Sequence, residues 1–238
     1  MKHPATTKNT KEQPSWAHGP AMQQELFGSS RHACAAAMAL HLAQSAAVAD
    51  RARWLWVQDR TAICLTGRPF VHGLPSALRR GLVHIAAAKP EDALFALEEG
   101  LRCTDFGFVI GEMIGDPRAL DFTASRRLSV ASEKHGVPLY LVRNDGHADL
   151  SAARRRWRIA PFASATAPWN GRALGMPRWQ ADLFRARGLP PGTWIVGAAD
   201  GWHPHTFPET EAAASPAPYP VDLAAESGDR SLASGRAA

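Results

Sequence analysis

Apolar and polar positions along the chain alternate between short continuous apolar runs and longer stretches with helical spacing. Glu25-Leu-Phe-Gly28 reads as a short strand ending in glycine, and residues 29–48 as an Ala-rich helix with Met38, Leu42 and Ser45 on one stripe. Trp54-Leu-Trp-Val57 is a second strand, ending in Gln58-Asp59-Arg60, and Leu82-Val-His-Ile85 a third beyond a Gly/Pro-punctuated loop at 67–75. Residues 89–102 carry Pro near the start, acids in the first turn and Leu94, Leu97 and Leu101 on one face, the marks of a helix. Phe106 to Ile110 is uninterrupted apolar sequence, as expected of a strand covered on both faces. Gly111-Glu-Met-Ile-Gly115 reads as the loop at its carboxyl end, and Asp116-Pro117 as the cap and first residue of a helix reaching His135. Its stripe is Leu120, Ala124, Leu128 and Ala131, with Gly136 placed for a C-terminal cap. Val137-Pro-Leu-Tyr-Leu-Val142 is the next strand.

Strands alternating with helices of this length predict an α/β fold, with a mostly parallel sheet and helices on both faces. After Asn144 the pattern changes. Residues 161–177 read as a Pro/Ala/Gly linker, 177–187 as a short amphipathic helix presenting Trp179, Leu183 and Phe184, and Thr193-Trp-Ile-Val196 as a last strand. The expected organisation is a disordered arm over 1–20, a core over 21–160, a small Arg/Trp-rich interaction segment over 161–200 and a disordered tail over 201–238.

Composition narrows this picture little. The 238 residues can bury one core, and the net charge of +5 permits an acidic partner without requiring one. No apolar run approaches a membrane span, and the first residues lack a signal-peptide core, so no membrane association and a cytoplasmic location are expected. Cys34, Cys64 and Cys103 match neither a zinc spacing nor a disulfide framework and read as reduced thiols.

The candidate chemistry begins at Gly28. A strand, a glycine and an Ala-rich helix are where a nucleotide-binding α/β protein places its phosphate loop, which needs Gly-Lys-Ser/Thr five residues after the first glycine. Here those positions hold Ala33, Cys34 and Ala35, so the phosphate-neutralising cation and the magnesium hydroxyl are missing. The central strand departs likewise from a magnesium-holding Walker B strand, offering Gly111 and Glu112 where an aspartate belongs. Asp59 and Glu112 could share a metal ion only as a bare carboxylate pair, with neither His nor nucleophile beside them. No catalytic residue, cofactor or metal is therefore expected, and the chain does not read as an enzyme. His203-Pro-His205 reads as solvated tail. Between residues 151 and 188 the cations are Arg154, Arg155, Arg156, Arg158, Arg172, Arg178, Arg185 and Arg187, opposed by Asp182 alone. With Trp157 and Trp179 among them and Trp194 just beyond, they suit a protein interface first, contact with DNA second and a solvated basic face third.

Several stretches resemble the ImuA family: Trp54-Leu-Trp-Val-Gln-Asp-Arg60, 92–102, Gly111-Glu-Met-Ile-Gly-Asp-Pro117, 120–128, Ser151-Ala-Ala-Arg-Arg-Arg-Trp157 and 177–187. The resemblance covers about residues 21–196. It implies a RecA-like core whose P-loop is lost beyond Gly28, and a non-enzymatic role in SOS-induced mutagenesis. It also implies two partners: ImuB, a Y-family polymerase homologue, and an error-prone DNA polymerase III alpha subunit. RecA and single-stranded DNA are further candidates, and an ATP-dependent RecA-related protein is the rival reading.

Overall fold

The computed structural model describes residues 22–46, 53–164, 166–167, 170–188, 190–197 and 201–204. The chain opens with β1 (Gln23–Gly28), α1 (Cys34–Ala46), β2 (Arg53–Asp59) and α2 (Arg60–Thr66). Two short 3-10 turns then lead to β3 (Leu82–Ala87), α3 (Pro90–Arg102), β4 (Phe106–Ile114), α4 (Phe122–His135) and β5 (Leu139–Asn144). The last part is all strand: β6 (Arg155–Phe162), β7 (Thr166–Ala167), β8 (Asn170–Leu174), β9 (Arg178–Ala186), β10 (Gly192–Gly197) and β11 (Gly201–Pro204).

Nine strands form one sheet in the order β11-β10-β9-β6-β1-β5-β4-β2-β3, and β7-β8 is a separate ribbon. From β3 across to β6 every pairing is parallel, whereas β6-β9, β9-β10 and β10-β11 are antiparallel. Parallel strands need crossovers long enough for a helix, and the helices supply the cover for two faces. Successive residues therefore enter two different cores. Leu26, Trp54, Trp56, Phe108, Ile110, Tyr140 and Val142 face Met38 and Leu42 of α1. Their neighbours Leu55, Val57, Val109, Met113, Leu139 and Leu141 face Leu94, Leu97 and Leu101 of α3 and Leu128 of α4. The expected α/β class, the Leu94, Leu97 and Leu101 stripe of α3 and the αL glycine at Gly136 (φ 66°) are observed, whereas Leu120 of the expected α4 stripe precedes the helix.

Five local expectations are corrected. Residues 177–187 are not a helix but β9, in which Trp179, Ala181 and Leu183 point into the α1-side core and the alternate residues point away. β9 closes against β6, a strand that the Arg-rich sequence did not announce, so the expected linker and interaction segment include strands of the main sheet. Asp116 does not cap α4: the helix starts at Phe122, and Asp121 accepts from Ala124 N at 2.7 Å. β4 runs on to Ile114, so Gly111, Glu112 and Met113 lie within the sheet rather than in a loop. Residues 201–204, expected in the tail, form β11, while the arm at 1–20 and the tail from 205 onward lie outside the described residues.

Candidate functional site

The carboxyl ends of the parallel strands gather the loop after β1, the end of β4 and the loop after β5. Gly28 sits so close to α1 that an added Cβ would lie 2.8 Å from the Ala35 Cβ and 3.2 Å from the Asn144 Oδ1. Beyond it the loop turns back, and a carboxylate faces it where a bound phosphate would be wanted. Ser30 N donates to the Asp145 Oδ1 at 3.2 Å, and Asp145 N donates to Gly28 O at 2.8 Å. Asp145 adopts a left-handed conformation (φ 57°), and the Ser30 hydroxyl is the main cause of its carboxyl lying below the usual range. Of the three residues at the expected cation and hydroxyl positions, Ala33 is exposed, Cys34 half-buried with its thiol pushed up by burial, and Ala35 buried.

Glu112 is the buried acid of this end, 2% exposed. Its Oε2 accepts from Gln58 Nε2 at 2.9 Å and Trp56 Nε1 at 3.3 Å, and its Oε1 accepts from Asn144 Nδ2 at 3.1 Å. Three donors from β2 and β5 thus converge on one side chain of the strand between them. Burial raises its carboxyl pKa, the donors oppose that rise, and the charge of nearby Asp59 adds to it. Gln58 passes the network outward, its Oε1 lying 2.9 Å from His84 Nε2 on β3. Asp59 caps α2 through Ala62 N at 2.7 Å. Among the described residues no group of three or more His, Cys, Asp or Glu could hold a metal ion.

The arginine-rich region divides in two. Arg155, Arg156, Trp157, Trp179 and Leu183 are buried, because β6 has strands on both sides and β9 packs against α1. Arg156 Nε donates to Glu25 Oε2 at 2.7 Å, and Ser151 Oγ donates to Glu25 Oε1 at 2.6 Å. Arg156 also lies over Phe27 at 5.1 Å and Phe184 at 5.4 Å, while Arg158 covers Phe184 at 4.1 Å. Trp157 Nε1 donates to Gln24 Oε1 at 3.0 Å, and its ring meets Trp194 edge-on.

The remaining candidates reach solvent. Arg154, Arg178, Phe184 and Trp194 are half-buried, and Arg185 and Arg187 are exposed. Arg154 forks onto Glu133 of α4 at 2.5 and 2.9 Å. A cleft of about 440 Å³ brings Arg154, Arg185 and Arg187 together with Phe122 and Leu150. It offers guanidinium groups beside exposed apolar carbon, which suits an acidic protein surface or a phosphate backbone. Glu25, Gln24, Gln58 and Asn144 escaped the sequence reading; the one local sign was a carboxylate inside an apolar strand.

Known proteins complete the description. No protein-family model matches the chain. It is similar to Protein ImuA from two strains of Caulobacter vibrioides, each 34% identical over 164 residues, covering 64% of this chain and 64% of the relative. The similarity supports membership of the ImuA family. The match thus spans just under two thirds of the length of those ImuA proteins.

At the carboxyl end of the sheet the buried acid Glu112 is held by donors from Trp56, Gln58 and Asn144, and the loop after β1 faces Asp145. No helix among the described residues is long and apolar enough to cross a membrane.

Proposed function

We propose that the chain is a non-enzymatic accessory protein of SOS-induced, error-prone translesion DNA synthesis. It acts as an adaptor between an ImuB-like Y-family polymerase homologue and an error-prone DNA polymerase III alpha subunit. The likeness to ImuA carries this reading. The strand order β3-β2-β4-β5-β1-β6, with β1 leading through a short loop into α1, supports a RecA-like core behind it. The loop that would cradle a nucleotide has no Lys at position 34 and faces the Asp145 carboxylate, which supports a scaffold rather than an ATPase. Arg154, Arg178, Arg185 and Arg187, with Phe184 and Trp194, are the proposed contacts to partner or single-stranded DNA, and RecA is a further candidate partner. The proposed location is cytoplasmic.

The test is a pull-down of the purified chain with the Y-family homologue, the alpha subunit, RecA and a single-stranded oligonucleotide at two salt concentrations. The adaptor reading expects retention of both polymerase proteins at the higher salt, because interface anchors resist screening where phosphate contacts do not. Retention of RecA or oligonucleotide alone, with saturable magnesium-dependent ATP binding, would replace it with the RecA-related reading.

A further inference from the structure

We propose that the groove between α3 and α4 docks an acidic, amphipathic helical segment of a protein partner. This proposal rests on the adaptor reading and assigns it a second surface. The groove encloses about 380 Å³ and lies on the outer side of the two helices that cover the sheet. On α4 its wall is a stripe of Arg126, Val130 and Lys134, spaced four residues apart and so stacked one above another. All three are exposed, Val130 by 54%. Neither Arg126 nor Lys134 has a hydrogen-bond or ion-pair partner among the described residues.

The neighbouring cations behave differently. Arg127 reaches Glu98 across the groove at 2.8 Å, and Arg102 is held by Glu99 on its own helix at 2.6 Å. The first pair joins α4 to α3 and the second lies within α3, which leaves the stripe as the unpaired feature. A branched apolar side chain between two free cations is the complement of an acid–apolar–acid stripe on another helix. The apolar contact would be Val130 with Ala131 beside it on the same wall.

Charge complementarity selects a protein over a nucleic acid. A phosphate backbone follows uninterrupted cations, whereas here Val130 separates Arg126 from Lys134, and Arg127 is already paired with Glu98 on the α3 wall. Nor does the core require the stripe: α4 buries Ala124, Ser125, Leu128, Ser129 and Ser132 on its other side.

The test measures binding of the full chain to the Y-family homologue, to the alpha subunit and to a single-stranded oligonucleotide. Arg126→Glu/Lys134→Glu and Val130→Asn are compared with the unchanged chain. The charge reversal is expected to weaken one of the two proteins about tenfold and to leave the oligonucleotide unaffected. Val130→Asn should weaken the same protein at high salt, where electrostatics alone would fade. Thermal melting checks the fold, and Arg126→Gln/Lys134→Gln gives the same readout should the reversal unfold the chain. If the unchanged chain binds a polymerase protein and all variants bind it equally, the groove proposal is overturned and the adaptor reading stands. If the variants lose oligonucleotide alone, the surface is for nucleic acid and the proposal fails. If the unchanged chain binds neither protein, both fall.

Discussion

Glu25 and Arg156 form an ion pair of 2.7 Å between adjacent parallel strands, with 1% and 3% of their side chains exposed. Breaking such a pair leaves an uncompensated charge in the interior, so Arg156→Ala is expected to cost about 3–5 kcal/mol. Replacing both, as Glu25→Leu/Arg156→Met, should recover much of that loss. Urea unfolding of the two variants measures it. A single variant as stable as the parent would mean that the pair contributes nothing to the fold.

The pair also shows why part of this molecule could be read from sequence and part could not. α3, β5 and the end of α4 were legible because their signals are local: an apolar stripe at helical spacing, a continuous run, a glycine after His135. Glu25 and Arg156 lie 131 residues apart, and nothing near either announces the other. A run of arginines looks like surface until β6 is known to have a strand on each side. β9 looks helical in sequence because Gln180, Ala181, Leu183 and Arg185 favour helices, and Ala181 is too small to make the period-two alternation of Trp179 and Leu183 plain. Asp116-Pro117 imitates a helix start, yet Asp116 is engaged by Arg143 and by His147 N, and the true cap stands five residues on at Asp121. Glu112 stands out as a carboxylate after an apolar run, but its donors come from two neighbouring strands and follow only from the sheet order.

Leu183→Ala should destabilise the protein by about 2–5 kcal/mol, because Leu183 is fully buried in the α1-side core. Truncation after residue 164 removes Trp179, Ala181, Leu183 and Val196 from that core together and should abolish cooperative thermal unfolding. A truncated chain that melts like the parent would show that β9 and β10 are dispensable to the fold, as an independent docking segment would be.

Glu112 makes stability depend on pH in a defined direction. Its folded pKa is raised, chiefly by burial, so the protonated carboxyl favours the folded state. That contribution is complete below the unfolded carboxyl value of about 4.5 and is lost as pH rises through the folded value. Glu112→Gln should remove this part of the decline, whereas Glu112→Ala should destabilise throughout by orphaning the Trp56, Gln58 and Asn144 donors. Denaturant midpoints from pH 4 to 8 (about half-unit steps) test both; parallel curves for parent and Gln variant would refute the assignment.

ATP should not bind tightly. Titration with a fluorescent ATP analogue and magnesium is expected to show no saturation in the low-micromolar range, given Ala33, Cys34 and Ala35 after the loop. Saturable binding that Gly28→Ala abolishes would overturn this. In that variant the new methyl group would meet the Ala35 Cβ at 2.8 Å and force α1 outward.

Four of the eight tryptophans sit in two pairs at separate places in the sheet. Trp54 and Trp56, with ring centres 5.9 Å apart, mark the β2 side, where Trp54 also stacks on Phe108 at 5.0 Å. Trp157 and Trp194, 6.0 Å apart, lie on β6 and β10 with β9 between them, at the seam where the sheet turns from parallel to antiparallel. Rings held this close couple their strong absorption bands, so each pair is expected to add an exciton contribution to the circular dichroism spectrum. Changing Trp194 to Phe silences the seam and leaves the β2 pair intact. The protein thus contains its own optical ruler: one spectrum, followed during refolding, tells whether the C-terminal strands join a parallel sheet already formed or assemble with it.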